Sequence, residues 1–146
     1  MADLTKVGSA IASGYTNESE KPDCAFDASD SSIWNSSGTG LATGDYIGRN
    51  FGGKYTVQSL YYLQVGSNWR VNSIKLQYSD DGSVWTDIQV VDLTDVNAKT
   101  ITVNSYPGGN YFRISANENS IWTWCVCTIT LTGTVIDTVT RRRCVI

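Results

Sequence analysis

The stretch that decides the fold is Val71–Val91, VNSIKLQYSDDGSVWTDIQVV. Between Ile74 and Ser79, apolar and polar residues alternate with a period of two, which is typical of a strand with one buried face. The Asp-Asp-Gly run at 80–82 then marks a tight turn, and Val84–Val91 returns as a second apolar and β-branched run. The pattern therefore predicts a β-hairpin.

Similar short runs flank this hairpin on both sides, rich in β-branched and aromatic residues. They lie at 45–51, 56–65, 99–103, 110–116 and 123–134. No stretch of ten residues shows the 3.6-residue period of an amphipathic helix. We therefore predict an all-β domain, an antiparallel jelly-roll β-sandwich, over residues 1–134. Residues 135–146, which include Arg141–Arg143, are interpreted as a C-terminal tail.

Composition excludes several classes of function. The 146 residues contain no histidine, which removes Ser-His-Asp and Cys-His catalysis and every His-ligated metal site. The formal net charge is -3, and it is more negative without the arginine-rich tail. An acidic body is unsuited to nucleic acid or anionic membranes, so we expect neither partner. No apolar run reaches the length of a membrane span, so membrane insertion is not expected.

The four cysteines, Cys24, Cys125, Cys127 and Cys144, contain no CxxC pair, which argues against zinc-ribbon and thioredoxin-like sites. Cys125 and Cys127 fall on one face of a predicted strand with Ile129. The simplest interpretation is that they are buried thiols that act as small hydrophobic residues. A disulfide from Cys24 to one of them, and a reactive thiol, are the alternatives.

Five segments in order resemble one known family. They are CAFDASDSSIW at 24–34, YIGRNFG at 46–52, IKLQYSDDGSVW at 74–85, YFRI at 111–114 and ITLTG at 129–133. These segments resemble the motifs of discoidin domains, also called coagulation-factor 5/8 type C domains or family-32 carbohydrate-binding modules. The resemblance spans most of the chain and implies a galactose-binding-like β-sandwich. It also implies scaffold roles for Trp34, Trp85 and Arg113.

The resemblance further implies a structural Ca²⁺ ion in the irregular segment at 14–45, where oxygen ligands would replace a missing core. The matching positions are the carbonyl groups of Cys24 and Cys127 and the side chains of Asp27, Ser29, Ser32 and Thr128, with Asp30 as a compensating carboxylate. Ser29 and Thr128 stand where the family carries acidic or amide ligands, which predicts weak affinity. The alternative is that Asp27 and Asp30 only make Asx-turns.

The family binds its ligand at loop tips on one end of the sandwich, which here implies the loops 33–43, 65–71 and 117–124. Sugar recognition needs an aromatic platform together with amide or guanidinium groups that bridge hydroxyls. The candidate carbohydrate-binding residues are Asn35, Asn68, Trp69, Arg70, Asn119 and Trp122. Trp69 and Trp122 are expected to be exposed, whereas Trp34 and Trp124 are expected to pack in the core.

The leading hypothesis is therefore a non-catalytic, lectin-like module that attaches to glycans on a cell surface or to a polysaccharide. One alternative is a virion structural protein, such as a capsid decoration, fibre or tail host-attachment subunit. Another is an intracellular protein-binding adaptor. The N-terminus carries no signal-peptide pattern. We expect an extracellular or virion-surface location reached without one, with the cytoplasm as the alternative. The tail is expected to mediate homo-oligomerisation or incorporation into a larger assembly.

Overall fold

The computed structural model describes residues 1–36, 40–120 and 122–136. These residues form nine strands: β1 (Ala2–Asp3), β2 (Ser9–Ala12), β3 (Trp34–Asn35), β4 (Tyr46–Gln64), β5 (Ser73–Ser79), β6 (Thr86–Asp92), β7 (Ala98–Thr102), β8 (Gly109–Ala116) and β9 (Cys125–Val135). Three short 3₁₀ helices cover Glu18–Glu20, Pro22–Ala25 and Ser67–Trp69. Among the described residues, no helix has the length and apolar character needed to cross a membrane. The prediction of an all-β fold is confirmed.

All strand pairs among these nine are antiparallel, and β4 joins the two layers of the sandwich. Its first half pairs with β2 and β8, and β8 continues through β5 to β6. Its second half pairs with β9 and β7, while β1 and β3 both pair with β9. The two halves of β4 thus belong to opposite layers of a jelly-roll β-sandwich.

Separate strands were predicted on either side of Gly52-Gly53, but the structure has one continuous strand of 19 residues. The register with β8 shifts between Asn50 and Tyr55, and Gly52 has a φ of 72°. A glycine at positive φ inside a bulge lets a strand bend sharply without losing its pairing. The short strands β1, β2 and β3 were not predicted, because SAIA and the two dipeptides are too short for a pattern.

The core lies between the layers and follows the predicted alternation. Ile74 and Leu76 of β5 and Phe112 and Ile114 of β8 are each 1% exposed or less. β9 differs, because all five residues from 125 to 129 are buried. One face of β9 packs in the core and the segment at 24–34 covers the other, which explains why β9 begins with a continuous buried run.

The cysteine interpretation is confirmed for the described residues. Cys125 and Cys127 are buried free thiols, and Cys24 is a half-buried free thiol, so no disulfide joins these three described cysteines. Burial raises the pKa of Cys125 to about 12 and also raises the pKa of Cys127. Such thiols are poor nucleophiles at neutral pH, which does not favour a reactive site. Cys144 lies outside the described residues.

The predicted hairpin turn, Trp85 and Arg113 lie on the outer face of the layer that contains β5 and β8. Asp81 Oδ1 accepts hydrogen bonds from the backbone N–H groups of Ser83 and Val84, at 2.8 and 2.9 Å. Arg113 is half-buried between the rings of Tyr46 and Trp85, at 4.5 and 3.9 Å from their centroids. These contacts agree with the expected structural roles of the turn, Trp85 and Arg113.

The last strand and the residue after it close the described part of the sandwich. Val135 is the last residue of β9, and the N–H of Ile136 donates to the carbonyl of Lys54 at 2.8 Å. The tail with Arg141–Arg143, and the assembly role predicted for it, lie outside the described residues.

Candidate functional site

Four connecting segments meet at one end of the sandwich: 40–45, 65–72, 93–97 and 117–124, of which residue 121 is not described. Hydrogen bonds tie them to one another. The N–H of Asn72 donates to Glu118 Oε1 at 2.6 Å, and the N–H of Thr43 donates to Asn119 Oδ1 at 2.7 Å. The N–H of Leu93 donates to the carbonyl of Asn72 at 2.7 Å. We call these four segments the loop end.

A buried hydrogen-bond chain lies directly beneath the loop end. Trp124 Nε1 donates to the hydroxyl of Tyr62 at 2.9 Å, and this hydroxyl donates to Gln64 Oε1 at 2.8 Å. The ring of Trp34 packs edge-on against Trp124 with centroids 5.1 Å apart. All four side chains are buried. The core positions expected for Trp34 and Trp124 are confirmed. Burial raises the pKa of Tyr62 far above its ordinary value, so its hydroxyl stays protonated.

Gln64 connects these buried hydrogen bonds to the loops, a role that was not predicted from the sequence. Its Nε2 donates to the carbonyls of Val71 and Val96, at 3.0 and 3.1 Å, and its Oε1 also accepts from the N–H of Val71 at 3.1 Å. One side chain therefore closes the loop at 65–71 and attaches the loop between β6 and β7 to it. A glutamine at the end of a strand gives no local signal of such a role.

The predicted aromatic residues of the loop end are exposed, as expected. Trp69 and Trp122 each expose 46% of their surface, and Asn68 beside Trp69 is also exposed. Each exposed indole presents a large, flat apolar surface to solvent at this end of the sandwich. Trp69 ends a short 3₁₀ helix, and Trp122 follows the isolated bridge between Leu41 and Ser120.

Arg70 is held in place by the loop between β6 and β7. Its Nη2 forms an ion pair with Asp95 Oδ1 at 2.8 Å, and its Nη1 donates to Asn97 Oδ1 at 3.3 Å. Asp95 itself is largely exposed, and it has a φ of 58°. Asp95 and Asn97 were not among the predicted site residues. The segment DLTDVN at 92–97 lies between two strands, and its Asp, Thr and Asn residues were the only sequence signal for this loop.

The two remaining predicted residues, Asn119 and Asn35, form hydrogen bonds with other residues of the domain. Asn119 is exposed, and its Oδ1 accepts the hydrogen bond from the N–H of Thr43. Asn35 lies in β3 rather than at a loop tip. Its Oδ1 accepts from Thr123 Oγ1 at 2.5 Å and its Nδ2 donates to Glu20 Oε1 at 3.4 Å. The structure therefore groups Asn68, Trp69 and Arg70 on one loop and Asn119 and Trp122 on another.

The residues predicted to bind Ca²⁺ lie in the segment that covers β9. The hydroxyl of Thr128 donates to the carboxylate of Asp30 and lies 3.5 Å from the carbonyl oxygen of Ser29. Asp27 Oδ1 accepts from the N–H of Ser29 at 3.0 Å, which is the Asx-turn of the alternative interpretation. The other predicted ligands are Cys24 and Ser32, both half-buried in the same segment, and Cys127, which is buried in β9.

The candidate metal-ligand atoms that face one another here are all oxygens, and Ca²⁺ prefers oxygen ligands. Among the described residues, no group of three or more His, Cys, Asp and Glu side chains could hold a metal ion. A cation at Asp30 and Thr128 would therefore depend on hydroxyl and carbonyl oxygens in addition to carboxylates. These residues are of the chemical type that binds Ca²⁺, and they carry few negative charges.

Comparison with known proteins agrees with this architecture. Residues 9–129 match the F5/8 type C domain family. A search of curated protein sequences gave no match. The chain therefore belongs to the F5/8 type C domain family, and its fold is the galactose-binding-like β-sandwich.

Solved structures of carbohydrate-binding modules share the fold. Chitosan-binding module 1 from a chitosanase/glucanase of Paenibacillus sp. IK-5 has a TM-score of 0.75 and 20% identity, and the match covers 91% of this chain and 100% of that one. The family 32 module of Clostridium perfringens NanJ, solved with galactose, has a TM-score of 0.72 and 16% identity, over 88% of this chain and 96% of that one. At these identities the likeness shows the fold.

Proposed function

We propose that this domain binds carbohydrate, without catalysing a reaction on it, through the loop end of the sandwich. The observation that carries the proposal is the exposure of Trp69 and Trp122 on two loops that hydrogen bonds hold at the same end. An indole ring is a flat apolar surface on which the C–H face of a sugar ring can pack. Tryptophans that stay exposed in a folded domain are good anchors for a ligand.

Polar groups beside the tryptophans suit sugar hydroxyls. Asn68 offers an exposed amide, and Asn119 can offer its amide N–H₂ to a ligand while its Oδ1 holds Thr43. The ion pair with Asp95 fixes the Arg70 guanidinium, so Arg70 loses little conformational entropy when it donates to a ligand. The exposed Asp95 carboxylate adds an acceptor next to this donor.

The structural neighbours support the same proposal. Modules with this fold were solved in complex with chitotriose, galactose and GalNAc-β-1,3-galactose. We extend the proposal to attachment: the domain would attach the protein or particle that carries it to glycans on a cell surface or to a polysaccharide. An end of the sandwich that is rich in exposed aromatic and amide groups is suited to such a role.

The test is a glycan array followed by titration of the best glycan against purified variants. Trp69→Ala and Trp122→Ala should each weaken binding by about tenfold or more, because each removes an aromatic anchor. Tyr61→Ala is the matched control: Tyr61 is also exposed, but it lies on the outer face of β4, and this change should leave the affinity unchanged. Equal affinity of both tryptophan variants and the wild type would contradict the proposal.

We also propose that the segment at 24–32 binds a structural Ca²⁺ ion next to Thr128. The convergence of oxygens from Asp30, Ser29 and Thr128 supports this proposal. The ion would neutralise carboxylates and tie the segment to β9, so that it would stabilise the fold without contacting the glycan. Repeating the array in a chelator tests whether binding at the loop end is independent of calcium.

A further inference from the structure

A second cleft lies away from the loop end, beside the 3₁₀ helix Pro22–Ala25. It has a volume of about 280 Å³ and is lined by Lys6, Asp23, Phe26, Asp27 and Arg49. These residues come from the N-terminal segment, from the segment that covers β9 and from the first half of β4. None of them belongs to the loop end, so the cleft is a separate feature of the surface.

Arg49 is an unusual residue in the lining of this cleft. Only 5% of its surface is exposed. Its Nε donates to the carbonyl of Val7 at 3.1 Å and its Nη2 donates to the carbonyl of Gly8 at 3.0 Å. Its guanidinium lies 4.9 Å from the centroid of the Phe26 ring. The backbone of the N-terminal segment and an aromatic ring thus fix the orientation of the guanidinium.

Within the part of the chain that the structure describes, this buried cation has no paired carboxylate. The ion pairs among the described residues belong to Lys21, Arg70 and Lys75. Burial lowers the pKa of Arg49, and the more distant Asp23 opposes that shift only in part. Buried charges in proteins are usually paired, because removing an ion from water without a counter-ion is costly. An arginine in this position is therefore suited to an anion from outside.

One nitrogen of Arg49 remains available for such an anion. Nη1 forms no hydrogen bond within the described residues, whereas Nε and Nη2 do. No described side-chain nitrogen or oxygen is both fully buried and without a hydrogen-bond partner. Nη1 must therefore retain access to solvent, and the cleft that Arg49 lines is the opening. Lys6, which is exposed at the same cleft, adds a second positive charge.

The acidic residues of the cleft restrict what can bind. Asp27 uses one carboxylate oxygen in its own turn, and Asp23 is exposed. Their negative charges weaken the binding of any anion, but hydroxyl groups on the same ligand can donate hydrogen bonds to them, which a simple inorganic anion such as chloride cannot do. We propose that this cleft binds a hydroxylated carboxylate, with the carboxylate on Arg49 and Lys6 and the hydroxyls on Asp23. The ligand is a uronic-acid residue of a polysaccharide or a free hydroxy acid.

The experiment is a titration of ¹⁵N-labelled protein followed by NMR, at one fixed calcium concentration. D-glucuronate should give saturable shifts of the amides at 6–8 and 23–27, whereas D-glucose and an equal ionic strength of NaCl should not. Tighter binding of glucuronate than of L-lactate assigns the site to uronic acids, and equal binding assigns it to free hydroxy acids; both support the proposal. Equal shifts with NaCl or glucose would overturn it.

Variants separate the cleft from the loop end. Arg49→Lys should weaken glucuronate binding by roughly tenfold or more, since it removes a charge-assisted hydrogen bond from a buried donor. If this variant does not fold, Lys6→Gln still tests the proposal, with an expected loss of about threefold because Lys6 is exposed. Lys54→Gln, a lysine elsewhere on β4, is the control and should bind normally.

Trp122→Ala should leave the glucuronate shifts at 6–8 and 23–27 intact, so failure of the glycan proposal does not imply failure of this one. If Lys6→Gln and Arg49→Lys both bind glucuronate as tightly as the wild type does, the cleft is not a carboxylate site.

Discussion

Tyr62→Phe tests whether the buried chain beneath the loop end holds the loops in place. The change removes one oxygen atom and leaves the ring. Trp124 Nε1 then loses its acceptor, and Gln64 Oε1 loses one of its two donors while keeping the N–H of Val71. Because Trp124 is fully buried, no water replaces the missing partner. A buried donor without a partner costs about 1–3 kcal/mol, and a net hydrogen bond contributes about 1 kcal/mol.

We therefore expect the free energy of unfolding to fall by about 2.5 kcal/mol. With an unfolding entropy of roughly 2.1 cal/mol/K per residue, this change lowers the Tm of a domain of 146 residues by roughly 8 °C. Urea denaturation followed by circular dichroism measures the loss directly. Amide exchange should also become faster at 65–71, since Gln64 is the side chain that closes this loop.

Tyr61→Phe is the matched control, because Tyr61 is exposed and its change should alter stability by less than about 0.5 kcal/mol. A double-mutant cycle with Trp124→Phe isolates the hydrogen bond between the two side chains. The two losses should be less than additive by about 1 kcal/mol or more, because the phenylalanine ring that replaces the indole has no donor to leave unpaired. A loss below about 0.5 kcal/mol for Tyr62→Phe, or strict additivity in the cycle, would refute the reasoning.

Three further predictions concern other parts of the fold. Ca²⁺ should raise the Tm and a chelator should lower it, because a ligand that binds only the folded state stabilises that state. The Asp30→Asn variant should show no such difference. Identical melting curves of the wild type with Ca²⁺ and with a chelator would contradict the calcium proposal. Hydrogen bonds from the backbone of Val84 and Ser83 and from the Ser79 hydroxyl lower the pKa of Asp81 from its ordinary value of 3.8. The stability that Asp81 contributes is therefore fully present at neutral pH and is lost as the pH falls through its lowered pKa. The difference in Tm between Asp81→Ala and the wild type should therefore shrink in acid. A Tm difference that is independent of pH would count against this explanation. Because burial raises the pKa of Cys125 to about 12, iodoacetamide should leave Cys125 and Cys127 unmodified in the native protein and modify them in guanidinium, as read by peptide mass spectrometry.

The local pattern of the chain was sufficient for most of the fold. A period of two between Ile74 and Ser79, followed by a turn and a second run, predicted the hairpin of β5 and β6 because strand alternation depends only on neighbours in sequence. Sequence context and the family resemblance together separated the buried Trp34 and Trp124 from the exposed Trp69 and Trp122. Local reasoning failed at Gly52-Gly53, where a bulge bends one strand between two layers instead of ending it.

Tertiary structure decided which polar side chains face a ligand and which hold the fold together. Arg70 and Asp95 are 25 residues apart, and the hydroxyl of Thr128 meets Asp30 across 98 residues. Gln64 joins segments that local periodicity treats as independent. Strand alternation predicts which face a side chain occupies, but a hydrogen bond also requires the distance and direction to a distant partner. Those depend on how the two layers pack, and for Arg49 that packing buried a cation and left one of its nitrogens open to a cleft.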